Sequence, residues 1–504
     1  MKIIKKIAAI MLSVMMVLGM CSVVGAEGIT TSGTSATTGS ITISKAASGE
    51  TYNIYRILDL ESYSGSRKTG NYAYKLRTDT VTGSKKSWSE FIKSSEIDNR
   101  YVILDGEYVT WKEGASVKDF AKVALTYAKD STTKINPDAT QKLKGTDTSV
   151  TFSGLPLGYY LVETSVGTVL ALNTTDTNVT IEEKNGVPSV EKKVKKGSDY
   201  DKGNTASIGD KVEFQTTIIA QPGAQNYVLH DKMDAGLTFD NTSIKINLMK
   251  NGETKESLVG DTNYTVKTSG LESKNPCTFH IEFKQDFCDK LKANDQIIIT
   301  YSATLNENAV IAGEGNKNGT WLKYGDSSET KHDETTTKTF EIPVFKYTKG
   351  ASGTGDETGL KDAQFILRKK GESSGMGLEP VTPTPNGKEG IVYCYKKNAA
   401  ETIVITNDTG KFTIQGLAPG AYELVEKEAP KGYNKLSAPV EITIGNEGGV
   451  SYNTVTNAKW VKVENKTGSI LPSTGGMGTT LFYIFGAILV IGSGVVLITK
   501  KRMK

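Results

Sequence analysis

Few positions in this 504-residue chain have the types and spacing for chemistry. A pentapeptide, Leu471, Pro472, Ser473, Thr474 and Gly475, stands just before an uninterrupted apolar run. Two segments echo each other, "GLPLGYYLVE" ending at Glu163 and "GLAPGAYELVE" ending at Glu426. Two-residue alternation puts Tyr159, Leu161 and Glu163 on one strand face, and likewise Tyr422, Leu424 and Glu426. Such a glutamate either turns to solvent at the strand end or is a buried carboxyl. Burial would hold it protonated, able to donate a hydrogen bond and to shuttle protons. The three histidines, His230, His280 and His332, are scattered, and neither a His/Cys metal spacing nor a phosphate-cradling glycine loop is seen, so no metal or cofactor is expected. Cys21 lies in an amino-terminal segment with the form of a signal peptide, which leaves Cys277, Cys288 and Cys394. That odd, sparse set is not a disulfide framework; Cys277 and Cys288 could pair, or both could be buried free thiols. A net charge of +4 is too small to argue for a nucleic-acid partner. No catalytic constellation for acting on another molecule is visible, so an enzyme is not expected.

The elements around these positions describe an exported β protein. From Leu481 to Thr499 the chain carries no charge, about the length a helix needs to cross a bilayer core of roughly 30 Å, and the basic tail "KKRMK" should stay cytoplasmic. Residues 1–26 have a lysine-rich start, an apolar middle and small residues at Val24, Gly25 and Ala26, the pattern of a signal peptide cut after Ala26. Glu27 to Gly468 should therefore lie outside the cell. Between Gly/Asn/Asp turns, period-2 segments dominate: "KVEFQTTIIA", "QIIITYSATL", "GKFTIQGLAPGAYELVE" and "PVEITIG". Helical spacing is confined to "SVKDFAKVALTYAKD" and a weaker "SWSEFIKSSE", both in the first third. The length suggests about three domains. We expect a first β domain with helical insertions over residues 27–185, a second over 186–335, a third over 336–468, and a terminal segment 469–504 that ends in the span.

Family resemblance adds to this reading. "LPSTGG" with its span and basic tail resembles the sorting signal of Gram-positive surface proteins recognised by sortase transpeptidases. "YELVEKEAPKGY" resembles the E-box of collagen-adhesin B-type domains found in sortase-assembled pilins. "GNKNGTWLKYG" and "NYVLHDKMDAGLTF" resemble the end strand and middle segment of the central domain of such pilins. With "GSITISKAASGETYNIYRI" near the amino-terminal end, the likeness covers nearly the whole mature chain and is to the backbone, or major, subunit of Gram-positive pili.

The resemblance implies an all-β fold of tandem immunoglobulin-like β-sandwich domains of collagen-adhesin A/B type. It implies a sortase cut between Thr474 and Gly475, with the threonyl carbonyl held as a thioester. Pilins of this type present a lysine amine at the end of the first domain, in a Tyr-Pro-Lys-Asn-like motif followed by a Pro-x-Val-x-Lys strand. Here "IEEKNGVPSVEKKV" puts Lys184 in that position, with Glu182 and Glu183 replacing the Tyr-Pro pair. The partners implied are pilus-class and housekeeping sortases, identical subunits joined head to tail, minor pilins and peptidoglycan. The location implied is the cell-wall surface. The same resemblance implies intramolecular isopeptide bonds, in which a lysine joins an asparagine with help from an Asp or Glu. The residues it selects are Lys192, Asp231 and Asn318 in the middle domain and Lys346, Glu426 and Asn465 in the third. Lys193 and Asn316 are the neighbouring alternatives in the middle domain, because a one-residue slip flips the strand face, and Asn457 is the rival acceptor in the third. In the first domain Glu163 has possible partners such as Lys45, but no acceptor is evident and no bond is expected. A monomeric wall-anchored adhesin would share the sorting signal and the bonds, and Lys184 distinguishes the two functions.

Overall fold

The computed structural model describes residues 38–64, 71–144, 146–166, 168–174, 178–183, 186–223, 225–269, 276–325, 328–349, 355–468 and 477–502. The chain divides into two compact units, Met1–Glu341 with Gln415–Pro419, and Ile342–Ile414 with Gly420–Lys504. The architecture is all-β, built from paired sheets.

The first unit contains two sheet pairs. In the amino-terminal pair, strands Asn178–Glu182, Thr38–Ser44 and Ser149–Pro156 form a small sheet, with Asn178–Glu182 parallel to Thr38–Ser44. The larger sheet is centred on the long strand Thr51–Ser64 and the strand Gly158–Thr164. Alternation explains how one strand serves two cores. Tyr52 and Ile54 face the small sheet and pack with Ile41, Ile43, Phe152 and Tyr160. Tyr55 and Ile57 face the other way, beneath the helical insertions, and pack with Trp88, Phe91, Phe120 and Leu125. The two insertions fall where helical spacing was read. The Trp88–Ile92 helix is held by a capping box between Ser87 and Glu90, and Ser116 caps Val117–Lys129 by accepting from the Asp119 backbone N–H at 3.2 Å.

The second sheet pair of this unit has six strands in one sheet, with Ser189–Lys196, Lys211–Ile219 and Gln296–Leu305 adjacent, and seven in the other, with Asp333–Lys338, Asn316–Tyr324, Val228–Met233 and Phe279–Phe283 adjacent. Strict alternation buries Val212, Phe214, Thr216 and Ile218 from one strand and Ile297, Ile299, Tyr301 and Ala303 from the next. The two pairs are joined through Glu50, which is 4% exposed and accepts from the Tyr324 hydroxyl at 2.8 Å and the Ser328 hydroxyl at 2.7 Å.

The second unit repeats the two-sheet plan. Phe340–Thr348 is flanked by Lys411–Leu417 and, in parallel, by Val461–Glu464, with Lys346 opposite Val463. The facing sheet is centred on Gln364–Lys369, Gly420–Glu428 and Val440–Ile444. At the carboxyl-terminal end Met477–Arg502 is one helix, longer at both ends than the 481–499 read from charge alone, and residues 482–502 are long and apolar enough to cross a membrane. Its large apolar side chains from Phe482 to Ile498 are exposed, as lipid contact requires.

Candidate functional site: two buried lysine, carboxyl and asparagine clusters

Lys192 lies on Ser189–Lys196, the strand whose inward positions include Val194. Its side chain is fully buried and crosses to the facing sheet, where Asp231 and Asn318 are also fully buried. Lys192 Nζ sits 2.5 Å from Asp231 Oδ2, and both groups bond the Tyr301 hydroxyl. Asn318 Nδ2 donates to the same hydroxyl at 3.3 Å, and Thr216 Oγ1 is 3.5 Å from Lys192 Nζ. Register explains the grouping, because Asn318 is opposite Met233 and Thr320 opposite Asp231, one inward step away. The Asp333 carboxylate fixes the lysine's strand position by accepting from the Lys192 backbone N–H at 2.7 Å. Aromatic rings wall the amine, which lies 4.9 Å from the Tyr301 ring centre and 5.4 Å from that of Phe214.

Electrostatics follow from this enclosure. Burial pushes the Lys192 amine down and the Asp231 carboxyl up, since each charged form would lose its hydration. Both shifts act toward the uncharged forms, amine and carboxylic acid, and each is opposed by the partner's charge. Burial also raises the Tyr301 phenol well above its usual value, so it stays a hydroxyl. Asp231 Oδ1 and Asn318 Oδ1 have no hydrogen-bond partner among the described residues. Buried acceptors left unsatisfied are costly.

The second cluster has the same composition. Lys346 is fully buried, Glu426 is 2% exposed and Asn465 1%. Lys346 Nζ lies 3.2 Å from Glu426 Oε1, although the pair is not aligned for a hydrogen bond and Lys346 Nζ, Glu426 Oε1 and Asn465 Oδ1 lack hydrogen-bond partners among the described residues. Asn465 Nδ2 donates to Glu426 Oε2 at 3.2 Å and to the Asn434 carbonyl at 2.7 Å, and the Leu436 N–H reaches Glu426 Oε2 at 2.7 Å. Burial pushes the Lys346 amine down to about 8, opposed by the Glu426 charge. Phe365 supplies the ring beside the amine, at 5.7 Å.

The neighbouring alternatives have other surroundings. Lys193 points outward to Glu191 at 3.0 Å. Asn316 shares the buried face but serves its own turn, accepting from the Val310 N–H at 2.8 Å and donating to the Val310 and Thr337 carbonyls. Asn457 is an exposed turn residue at φ +49°. Glu163, 1% exposed, has the buried surroundings that pattern alone left open, but its neighbours are Asn53, whose amide donates to it, and Lys129 from the Val117–Lys129 helix. Lys45 is a surface residue paired with Glu182 at 2.5 Å. Among the described residues Cys277, Cys288 and Cys394 form no disulfide. Lys184 and the pentapeptide Leu471, Pro472, Ser473, Thr474 and Gly475 lie outside the described residues, as do residues 1–26, where a signal peptide is expected. Sequence reasoning missed Tyr301, whose one signal was a hydroxylated ring in series with the inward Ile297 and Ile299. It also missed Asn434 and Leu436, which contribute only backbone groups.

Paired β sheets, two buried lysine, carboxyl and asparagine clusters and a terminal helix long and apolar enough to cross a membrane are the features that known proteins share with this chain or lack. Residues 208–328 match the family described as Gram-positive pilin backbone subunit 2, Cna-B-like domain, residues 345–459 a prealbumin-like fold domain, and residues 464–504 the LPXTG cell wall anchor motif. The trypsin-resistant surface T6 protein of Streptococcus pyogenes serotype M6 is 24% identical over 300 residues, and the match spans 58% of this chain but about half, 49%, of that relative. The T6 backbone pilin structure, described as a modular three-domain structure, aligns with a TM-score of 0.50 and 18% identity over 82% of this chain and 81% of that one. The Corynebacterium diphtheriae major pilin SpaA aligns at a TM-score of 0.47 and 14% identity, over 86% and 100%. Residues 208–328 thus match a Gram-positive pilin backbone domain and residues 464–504 a cell wall anchor motif, which together support a Gram-positive major pilin held at the cell wall.

Proposed function

We propose that this chain is the shaft subunit of a covalent surface pilus, built from three domains over residues 27–185, 186–335 and 336–468. In this reading a sortase cuts between Thr474 and Gly475, and the Lys184 amine of the next subunit takes the threonyl carbonyl to form an amide and release the enzyme thiol. The terminal helix keeps the precursor at the membrane until the cut. Housekeeping sortase then transfers the finished fibre to peptidoglycan, and minor pilins complete it.

Each subunit is braced by two intramolecular isopeptide bonds, Lys192 to Asn318 and Lys346 to Asn465. The neutral lysine attacks the asparagine Cγ; a C–N bond forms, the bond to Nδ2 breaks, and ammonia leaves with a proton taken from the lysine. Asp231 and Glu426 carry that proton and hydrogen-bond the amide oxygen. Full burial of Lys192 and Lys346 beside a buried carboxyl and a buried asparagine carries this reading, because desolvation is what makes an amine nucleophilic near neutral pH. Each bond closes a loop on the order of a hundred residues, which by analogy with disulfides contributes about 4 to 5 kcal/mol. Tension along the fibre would then pass through covalent links.

Boiled, detergent-treated wall extract tests the reading. A ladder of multimers is expected from the parent cells, and a single band of monomer would mean a wall-anchored adhesin.

A further inference from the structure

All three histidines of the chain, far apart in sequence, gather at one place on the outer face of the seven-stranded sheet. His230 on Val228–Met233 and His280 on Phe279–Phe283 are direct cross-strand partners, with ring centres 5.3 Å apart. Cys277, three residues before His280, completes the group: one donor atom from each of His230, His280 and Cys277 lies within 4.8 Å of the others. The three are 3%, 8% and 9% exposed. Trp321, opposite His230 on the neighbouring strand, stacks on it at 5.0 Å and separates it from His332, which stacks on the indole's far side at 4.5 Å.

We propose that His230, His280 and Cys277 form a binding site for a zinc-class cation. Two imidazoles and a thiol are the donor set preferred by a borderline-soft ion such as Zn²⁺, whereas Ca²⁺ and Mg²⁺ require oxygen ligands. Metal–nitrogen distances of about 2.0 to 2.1 Å and a metal–sulfur distance of about 2.3 Å set donor separations near 3.5 Å in a tetrahedron. The side chains would close by on the order of an ångström. Glu282 Oε1 lies 3.3 Å from His280 Nε2, placing a carboxylate where it can orient the imidazole from behind, and Lys267 holds that carboxylate at 2.6 Å. A water molecule takes the fourth position. On binding, the imidazoles donate as neutral bases, the Cys277 thiol becomes a thiolate, and one proton passes to solvent per cation bound.

The site lies back to back with the lysine cluster. His230 and Asp231 are consecutive on one strand and point to opposite faces, so a cation on the outer face ties Phe279–Phe283 and the segment before it to the strand that carries the carboxyl.

Titration of the full chain in detergent micelles with Co²⁺, followed by Zn²⁺, tests the proposal. One equivalent of Co²⁺ should produce a near-ultraviolet thiolate-to-cobalt band with intense visible bands of a four-coordinate ion, and one equivalent of Zn²⁺ should abolish both. Cys277→Ser should remove the thiolate band, and His280→Ala should weaken binding by about 10- to 100-fold or more. His332→Ala should leave the spectrum unchanged, because Trp321 stands between it and the donors. Because the Cys277 variant could misfold, a Cys288→Ser, Cys394→Ser double variant provides the complementary test and should retain the full spectrum. A parent chain without stoichiometric cobalt bands, an unaltered thiolate band in Cys277→Ser, or its loss in the double variant would each overturn the assignment.

Discussion

Replacing Asn465 with alanine removes the carbon that the Lys346 amine is proposed to attack, and strands the lysine in a site where it is fully buried. Two losses follow. Without the cross-link the second unit forfeits about 4 to 5 kcal/mol of unfolded-state restriction. The free amine, held at about 8 in the folded chain against 10.5 in the unfolded one, adds a penalty of about 3 kcal/mol at about 1.4 kcal/mol per unit. The sign fixes the pH window. Between pH 8 and 10.5 the unfolded variant binds a proton that the folded variant does not, so its stability rises with pH across that window and is lowest, and flat in this respect, below pH 8. With the proposed amide at that nitrogen the parent chain would have no such slope. Near neutral pH the combined loss approaches the whole stability of an ordinary domain. Pulse proteolysis in urea at pH 7 and pH 9.5, with fragments of the second unit identified by mass, reads both effects. Equal midpoints for variant and parent at both pH values would refute the reasoning.

The other perturbations separate the roles of neighbouring residues. Relative to their own sequence masses, Asp231→Ala and Glu426→Ala should each lack one of the two ammonia losses, whereas Lys193→Ala should retain both; an unshifted parent mass would remove the basis for both bonds. Tyr301→Phe deletes the hydroxyl shared by Lys192, Asp231 and Asn318, and should destabilise the unreacted middle cluster by about 1 to 3 kcal/mol and slow loss of its ammonia, followed by timed mass spectrometry of fresh protein. Lys184→Ala cells should hold wall-linked monomer without multimers on denaturing gels, since the Thr474 donor is untouched; a full ladder would move the acceptor to another lysine, such as Lys195 or Lys196.

Much of this organisation was legible before the fold. Alternation alone located the strands Lys211–Ile219 and Gln296–Leu305, and helical spacing located Val117–Lys129. The choice of Lys192 over Lys193 is also a matter of parity: Lys192 and the apolar Val194 share the inward face. Asn316 and Asn318 share a face, so parity cannot separate them; register does, because Asn318 lies opposite Met233 beside Asp231, while Asn316 is held by the Val310 turn. Two features were not legible. Alternation left the burial of Glu163 and Glu426 open, since a strand-end glutamate in either setting has the same pattern. The histidines read as scattered because His230 and His280 meet only through antiparallel pairing of distant strands, a contact that local sequence does not encode.

The most direct test of the covalent-shaft reading is mass spectrometry of protease digests from detergent-resistant multimers. A branched peptide is predicted in which the Thr474 carboxyl is joined to the Lys184 Nζ with loss of everything from Gly475 onward. Multimers that yield only linear peptides, or branches at another lysine with Lys184 unmodified, would contradict it.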